Sequence, residues 1–373
     1  MVVSRMGDQI GRVLSGRYRL VAPIGSGASA QVFLADDTRL RRRVAVKLLH
    51  AALSEDESFL RRFRAEAQAA AALNHPHILS VYDWGDDTDG EPYLVTEYLG
   101  GGSLRGMLDA GRRLSPSQTL MIGLEAARAL DHAHRRGIVH RDIKPANLLF
   151  GEEGRLRIAD FGLARALAEA AWTEPTGAVL GTARYASPEQ AKGELVTGRA
   201  DVYSLGLVLI EAVTGSVPFA ADTTIGTLMG RVERAVEVPV ELGPLRRVLV
   251  RAGHPDAADR PDAGEFAVGL MAAAEELDRP APLPLVGAVP ALGDGLAPER
   301  DVTLLPPPKV GDPTVVTPGD GDQRDDSADS QPAPEQPAGR RARRRARRAE
   351  RRAAIKAGLV RRRRWPRVAL AVL

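Results

Sequence analysis

The stretch IVHRDIKPANLLF (residues 138–150) sets His140, Arg141, Asp142, Lys144 and Asn147 between two apolar runs. Moving a phosphoryl group from a nucleotide to a hydroxyl takes three things: an oxygen ligand for Mg²⁺, a cation beside the moving group, and a carboxylate that orients the attacking oxygen. Asp142, Lys144 and Asn147 offer these within six residues. On a loop after the apolar Ile138 and Val139 they can converge on one point, and Leu148, Leu149 and Phe150 then resume burial. A solvated polar turn is the competing reading, so the rest of the chain has to decide.

Working outward, the chain has 373 residues, 44% of them hydrophobic, enough for one large or two ordinary domains with a packed core. With no cysteine, disulfides, thiolate metal sites and thiol catalysis are excluded. The first residues, MVVSRMGDQIGRVL, lack a long apolar run, so a secretory signal is not expected. The net charge of +3 conceals an asymmetry: of 51 Lys and Arg, fifteen lie in residues 340–367 beside one acid, Glu350, leaving 36 bases against 47 acids elsewhere. An acidic body is joined to a basic tail.

Residues 18–49 alternate apolar and polar between Gly and Asp breaks and are read as short strands. From about residue 54 the helical period takes over, with a strand-like return at PYLVTEYL. In SFLRRFRAEAQAAAAL, Phe59, Phe63, Ala70 and Leu73 form an apolar stripe on which Glu66 also lies. A carboxylate on an inward stripe needs a partner, and Lys47 of VAVK (44–47) is one candidate, Arg62 at i−4 the other. The run ADVYSLGLVLIEAVTG is apolar almost all round, a buried helix too short to span a bilayer, with Asp201 as a possible N-cap. From about residue 279 Pro, Gly and Asp dominate, which reads as a disordered linker to residue 339.

Eighteen residues past Asp142, RLRIADFGLA gives a strand followed by Asp160, Phe161 and Gly162, and upstream IGSGASAQVFLA (24–35) is a Gly-rich turn running into a strand. A dinucleotide-binding fold would need a helix there, so that reading fails. Taken together and in this order, residues 18–278 resemble a eukaryotic-type protein Ser/Thr kinase, especially the membrane-anchored kinases of bacteria. The resemblance implies an α+β, bilobal fold: a small β-rich lobe before a larger helical one.

It further implies Asp142 as catalytic base, Lys144 on the transferred phosphate, Lys47 on the α- and β-phosphates with Glu66 as its ion-pair partner, and Asn147 and Asp160 holding Mg²⁺, with Mn²⁺ as an alternative. ATP would be lined by Ile24, Gly25, Ser26, Gly27, Ala28, Ser29, Ala30, Gln31, Val32, Ala45, Lys47, Glu97, Leu99 and Leu149. One departure is Ala30, where the family's third glycine stands; as the smallest alternative it is expected to preserve binding. Thr96 resembles the residue controlling access behind the adenine. Residues 161–189 resemble an activation segment, which argues for protein substrates; Lys144 and Thr182 match the Ser/Thr class. Arg260 is placed to pair with Glu189, and the family's equivalent of Asp201 holds the catalytic loop's backbone. Thr173 and Thr176 are expected autophosphorylation sites, Thr176 preferred, where phosphate would meet Arg141; autophosphorylation raises a homodimer as a partner.

The tail joins the basic run 340–367 to Trp365, Pro366 and the apolar residues 368–373, in the order expected at the cytoplasmic face of a membrane span. The expectation is a cytoplasmic kinase domain at the inner face of the cell membrane, the chain stopping at the start of a transmembrane helix, with attachment to anionic lipid as the fallback. Nucleic acid is a less favoured partner for the Arg-rich run. The rival to an active kinase is a binding module, either a pseudokinase scaffold or an Arg-tailed nucleic-acid binder; a pseudokinase would be expected to lack at least one of Lys47, Asp142, Asn147 and Asp160.

Overall fold

The computed structural model describes residues 9–27, 30–50, 57–87, 91–161, 184–221, 223–232 and 234–287, all within a first compact unit, Met1–Pro298; the second, Glu299–Leu373, lies outside them. Six antiparallel strands open the fold: β1 (Val13–Leu14), β2 (Tyr18–Ser26), β3 (Ala30–Asp37), β4 (Arg42–Leu49), β5 (Val81–Asp86) and β6 (Pro92–Glu97), in spatial order β1-β2-β3-β4-β6-β5. In β4 the period of two is plain: Val44, Val46 and Leu48 are buried with Phe33, Tyr93 and Val95, while Ala45 and Lys47 take the opposite face. Register sets Lys47 opposite Val32 on one side and Leu94 on the other. The sequence of β4 alone therefore decides that Lys47 faces away from the small-lobe core.

On that second face, helix α1 (Glu57–Ala71) docks through Leu60, Phe63 and Ala67 against Ala30, Leu49 and Leu94. Of the expected stripe, Phe63 and Leu73 are buried and Ala70 is half-buried, while the side chains of Phe59 and Glu66 lie outside the described residues; Leu60 and the small Ala67 widen the buried face over the sheet. Ala30 also has a physical reason here: its methyl is buried in this cluster, where a glycine would leave the contact unfilled.

The larger lobe comprises α2 (Leu104–Asp109), α3 (Pro116–His134), the hairpin β7 (Leu148–Phe150) and β8 (Leu156–Ile158), α4 (Pro188–Lys192), α5 (Gly198–Thr214), α6 (Thr224–Met229), α7 (Arg246–Ala252) and α8 (Ala263–Ala274). Ser115 with Gln118, Ser187 with Gln190, and Asp262 with Glu265 form capping boxes that start α3, α4 and α8. As expected from its all-round apolar sequence, α5 is buried from Ala200 to Ala212, with α3 and α8 against it. No helix among the described residues is long and apolar enough to cross a membrane.

The folded body does not stop at residue 278. Leu283, Leu285 and Val286 pack on the core of the large lobe, and Gln118 Nε2 donates to the carbonyls of Pro282 (2.8 Å) and Ala281 (3.3 Å). The Val286 carbonyl lies against Gly102, whose φ is +80° and where a Cβ would come within 1.9 Å of that oxygen. Residues 279–287 therefore depart from the disordered linker expected on composition: three apolar side chains spaced through the prolines find a groove that composition does not register.

Candidate active site

The loop between α3 and β7 is held by a single carboxylate. Asp201, in the first turn of α5 and 1% exposed, accepts from the backbone N–H of His140 (2.8 Å) and of Arg141 (2.7 Å), and from His134 Nε2 (2.8 Å). Arg141 sits at φ +69°, a left-handed backbone that a non-glycine residue holds only when its surroundings impose it. Its carbonyl accepts from Gln190 Nε2 at 2.8 Å, so both ends of that strained residue are fixed.

His140 is fully buried and ties this loop to the next. The Asp142 N–H donates to its Nδ1 (3.2 Å), and its Nε2 lies 2.8 Å from the carbonyl of Ala159. An N–H can only donate and a carbonyl only accept, so the ring is the neutral Nε2–H tautomer. It links Asp142 to the residue before Asp160, and it meets Phe161 edge-on at 4.7 Å.

On this frame the predicted residues converge. Lys144 Nζ reaches Asp142 Oδ2 at 2.7 Å, and Asn147 Nδ2 donates to the Asp142 carbonyl (2.8 Å) and carboxylate (3.3 Å). Lys47 Nζ, from β4, crosses to Asp160 Oδ1 at 2.8 Å. Asp160 is itself left-handed, at φ +60°. Burial works to raise its carboxyl, and the charge and hydrogen bond of Lys47 more than reverse this, holding it below the usual carboxylate range.

Glu66 lies on α1, but its side chain is outside the described residues; the partner seen for Lys47 is Asp160. Ala28 and Ser29 of the Gly-rich turn also lie outside them, as do Thr173, Thr176 and Thr182. The turn is otherwise the β2–β3 connection, with Gly25 opposite Val32, Ser26 opposite Gln31, and Gly27 N–H donating to the Ala30 carbonyl. Ile24, Val32, Ala45 and Leu149 are half-buried and Leu99 is buried. Glu97 uses its carboxylate structurally, accepting from Ser80 N–H and pairing with Arg157; its own N–H donates to the Ser80 carbonyl at 3.0 Å and its carbonyl accepts from Thr96 Oγ1 at 3.2 Å. Thr96 lines a small cavity with Ile158, Asp160 and Phe161.

The expected pair is present: Arg260 Nη1 and Nη2 reach the two Glu189 oxygens at 2.8 and 2.9 Å, both residues buried. Three anchors were not foreseen. Gln190 carries the capping-box signal of SPEQ but nothing that points to its bond with the Arg141 carbonyl, and Arg231 on the segment before α4 carries no signal beyond being polar. Glu211 does carry one, being the sole carboxylate in the apolar run LVLIEAV; it accepts from Tyr185 Oη (2.6 Å) and pairs with Arg105 (3.0 Å).

Residues 18–246 match the family model described as the protein kinase domain. The chain belongs to the protein kinase family. PknB of Mycobacterium leprae is 47% identical over 215 residues, 57% of this kinase chain and 35% of that protein, and PrkC of Bacillus subtilis is 38% identical over 275 residues, 72% and 42%. Both are named serine/threonine-protein kinases, and the chain spans roughly a third to two-fifths of their length. The crystal structure of the Mycobacterium tuberculosis PknI kinase domain matches with a TM-score of 0.56 at 32% identity, covering 71% of this chain and 98% of that one. The bilobal kinase fold and the resemblance to bacterial Ser/Thr kinases are thereby borne out. Kinase membership implies, in general terms, ATP and a divalent cation.

Proposed function

We propose that this chain is a serine/threonine protein kinase that transfers the γ-phosphate of ATP to the hydroxyls of protein substrates. The observation that carries the reading is the pairing of Lys47 with Asp160 at 2.8 Å and of Lys144 and Asn147 with Asp142 at 2.7 and 3.3 Å, on two loops joined by His140. A scaffold that had lost catalysis would have no need to keep all five.

Asp142 orients the acceptor hydroxyl. The oxygen attacks the γ-phosphorus, the bond to the β–γ bridging oxygen breaks, ADP leaves, and the hydroxyl proton passes late to the Asp142 carboxylate. Lys144, already on that carboxylate, places its charge beside the transferred group, and Lys47 grips the α- and β-phosphates. Asn147 and Asp160 present hard oxygen donors and fit Mg²⁺, or Mn²⁺. Asn147 and Asp160 would hold such a cation together with oxygens of the ATP phosphates. When bound, the cation neutralises developing phosphate charge.

Residues 24–32 would cover the phosphates, Ala45, Glu97, Leu99 and Leu149 would enclose the adenine, and Thr173 or Thr176 would receive phosphate in autophosphorylation. The basic run 340–367 supports attachment of the chain to an anionic membrane surface. Transfer from γ-labelled ATP, compared with Asp142→Asn and Lys47→Met, tests the reading: each substitution should lower the rate by about a hundredfold or more. Full activity in the Asp142→Asn protein would refute it.

A further inference from the structure

Among the described residues the chain passes from the small lobe to the large one once, between β6 and α2, through residues 98–103. The middle of that passage is Gly100, Gly101 and Gly102. Glycine has the freest backbone of any residue, so three in succession hold a fixed course only with outside support. Two neighbours supply it. On β7, the Phe150 N–H donates to the Gly102 carbonyl (2.8 Å), the Phe150 carbonyl accepts from the Gly101 N–H (2.9 Å), and Leu149 pairs with Ser103. The second neighbour is the segment 281–287: the Val286 carbonyl lies against Gly102, held at φ +80°, and Gly287 stands beside the Gly100 carbonyl.

That segment is itself fastened. The buried Gln118 side chain donates to the carbonyls of Ala281 and Pro282, the Leu285 N–H donates to the Leu283 carbonyl (2.9 Å), and Leu283, Leu285 and Val286 pack on the large-lobe core. Leu99, buried just before the glycines, and Leu149, half-buried on β7, are two of the side chains set to enclose adenine. The residues that Val286 and Gly287 touch are therefore the ones that fix Leu99 relative to Leu149.

We propose that residues 281–287 are a positioning element for the nucleotide. Seated in their groove, they steady the glycine passage and hold Leu99 in place against Leu149; unseated, they let the adenine pocket loosen. The proposal rests on the kinase reading and deepens it, because it gives control of the base pocket to a segment that supplies none of the residues expected around ATP. Coupling between two sites is reciprocal, so a nucleotide that closes the pocket must strengthen the seating of the segment by the same factor. A brace serving stability alone would show neither effect.

Leu283→Asn combined with Leu285→Asn, in the full chain, unseats the segment with polar groups of similar size and adds no charge near the phosphates. Titration with adenylyl imidodiphosphate and Mg²⁺ should show binding about fivefold weaker than in the unaltered chain, the lower end of ordinary coupling between sites. In transfer to a mixed Ser/Thr peptide the ATP KM should rise by the same factor, with kcat and the peptide KM near their original values. In the unaltered chain, saturating nucleotide should slow amide hydrogen exchange across residues 283–287, again about fivefold. Unchanged nucleotide affinity in the folded variant overturns the proposal, as does exchange indifferent to nucleotide or a loss confined to kcat. If the variant does not fold, exchange in the unaltered chain decides. Failure of the unaltered chain to bind nucleotide or transfer phosphate overturns the kinase reading itself, a result distinct from an active enzyme whose base pocket ignores residues 281–287.

Discussion

Asp201→Asn should unfasten the catalytic loop while leaving the fold standing. The carboxylate accepts two backbone N–H groups, one through each oxygen, at 2.8 and 2.7 Å, and it is buried. An amide has one accepting oxygen, so its NH₂ must face either the His140 or the Arg141 N–H. One charge-assisted bond is lost, the other weakened, and a buried donor is left unmet, together about 2–4 kcal/mol. Against a typical domain stability of about 5–15 kcal/mol the protein stays folded. The loss falls where Arg141 is held at φ +69°, so the residue is released toward an ordinary backbone and Asp142 moves with it. Felt in the transition state, the same energy lowers kcat by about thirty- to several-hundredfold. Urea unfolding gives the first quantity, and peptide phosphorylation with the ATP KM gives the second. His134→Gln, which disturbs only the third contact, should cost less than half as much in both. If Asp201→Asn kept both its urea midpoint and its kcat, the anchoring argument would be wrong.

Further outcomes can be stated for other parts of the molecule. Arg260→Met leaves the buried Glu189 carboxylate without its fork and strips donors from the carbonyls of His254 and Pro255, which should cost about 3–5 kcal/mol. A thermal scan should register this as a fall of roughly 10 °C, and a change of only a degree would count against the pair. Burial, with His132 and His77 adding to it, lowers His75 to about 4 from its ordinary 6.5. Between those values the unfolded chain binds a proton that the folded chain does not, so stability falls as pH drops from 6.5 toward 4. His75→Gln should flatten the Tm profile across that window, and an unaltered slope would remove His75 from the account. Gly102→Ala forces a side chain at φ +80° into the Val286 carbonyl and should detach residues 279–287. Limited proteolysis would then cut within that segment, and protection equal to the original would contradict the contact.

How far the chain could be read in advance depended on whether a contact was encoded locally. The motif HRDIKPAN, the strand VAVK with its outward Lys47, the all-apolar α5 and the pairing of Glu189 with Arg260 were legible, because spacing along one element or a known order of motifs sets them. Of the stripe expected on the first helix, Phe63 and Leu73 are buried and Ala70 is half-buried against the core, while period alone did not show that the sheet beneath also takes in Leu60 and Ala67. The end of the body was placed too early, since the composition of residues 279–287 resembles that of a linker although three of its side chains have a groove to enter.

The sequence by itself determined the chemistry: which groups could move a phosphoryl, on which strands and loops they stand, and in what order. Only the tertiary structure decided how they are held. It showed Lys47 meeting Asp160 across 113 residues, Asp201 gripping the catalytic loop across 61, and Arg231 bracing Ala186 across 45. A side-chain hydrogen bond needs its partners within about 3 Å, and no local pattern specifies which of many polar side chains a fold will bring that close. Local propensity and period are properties of neighbouring residues, whereas these anchors exist only after the lobes have packed.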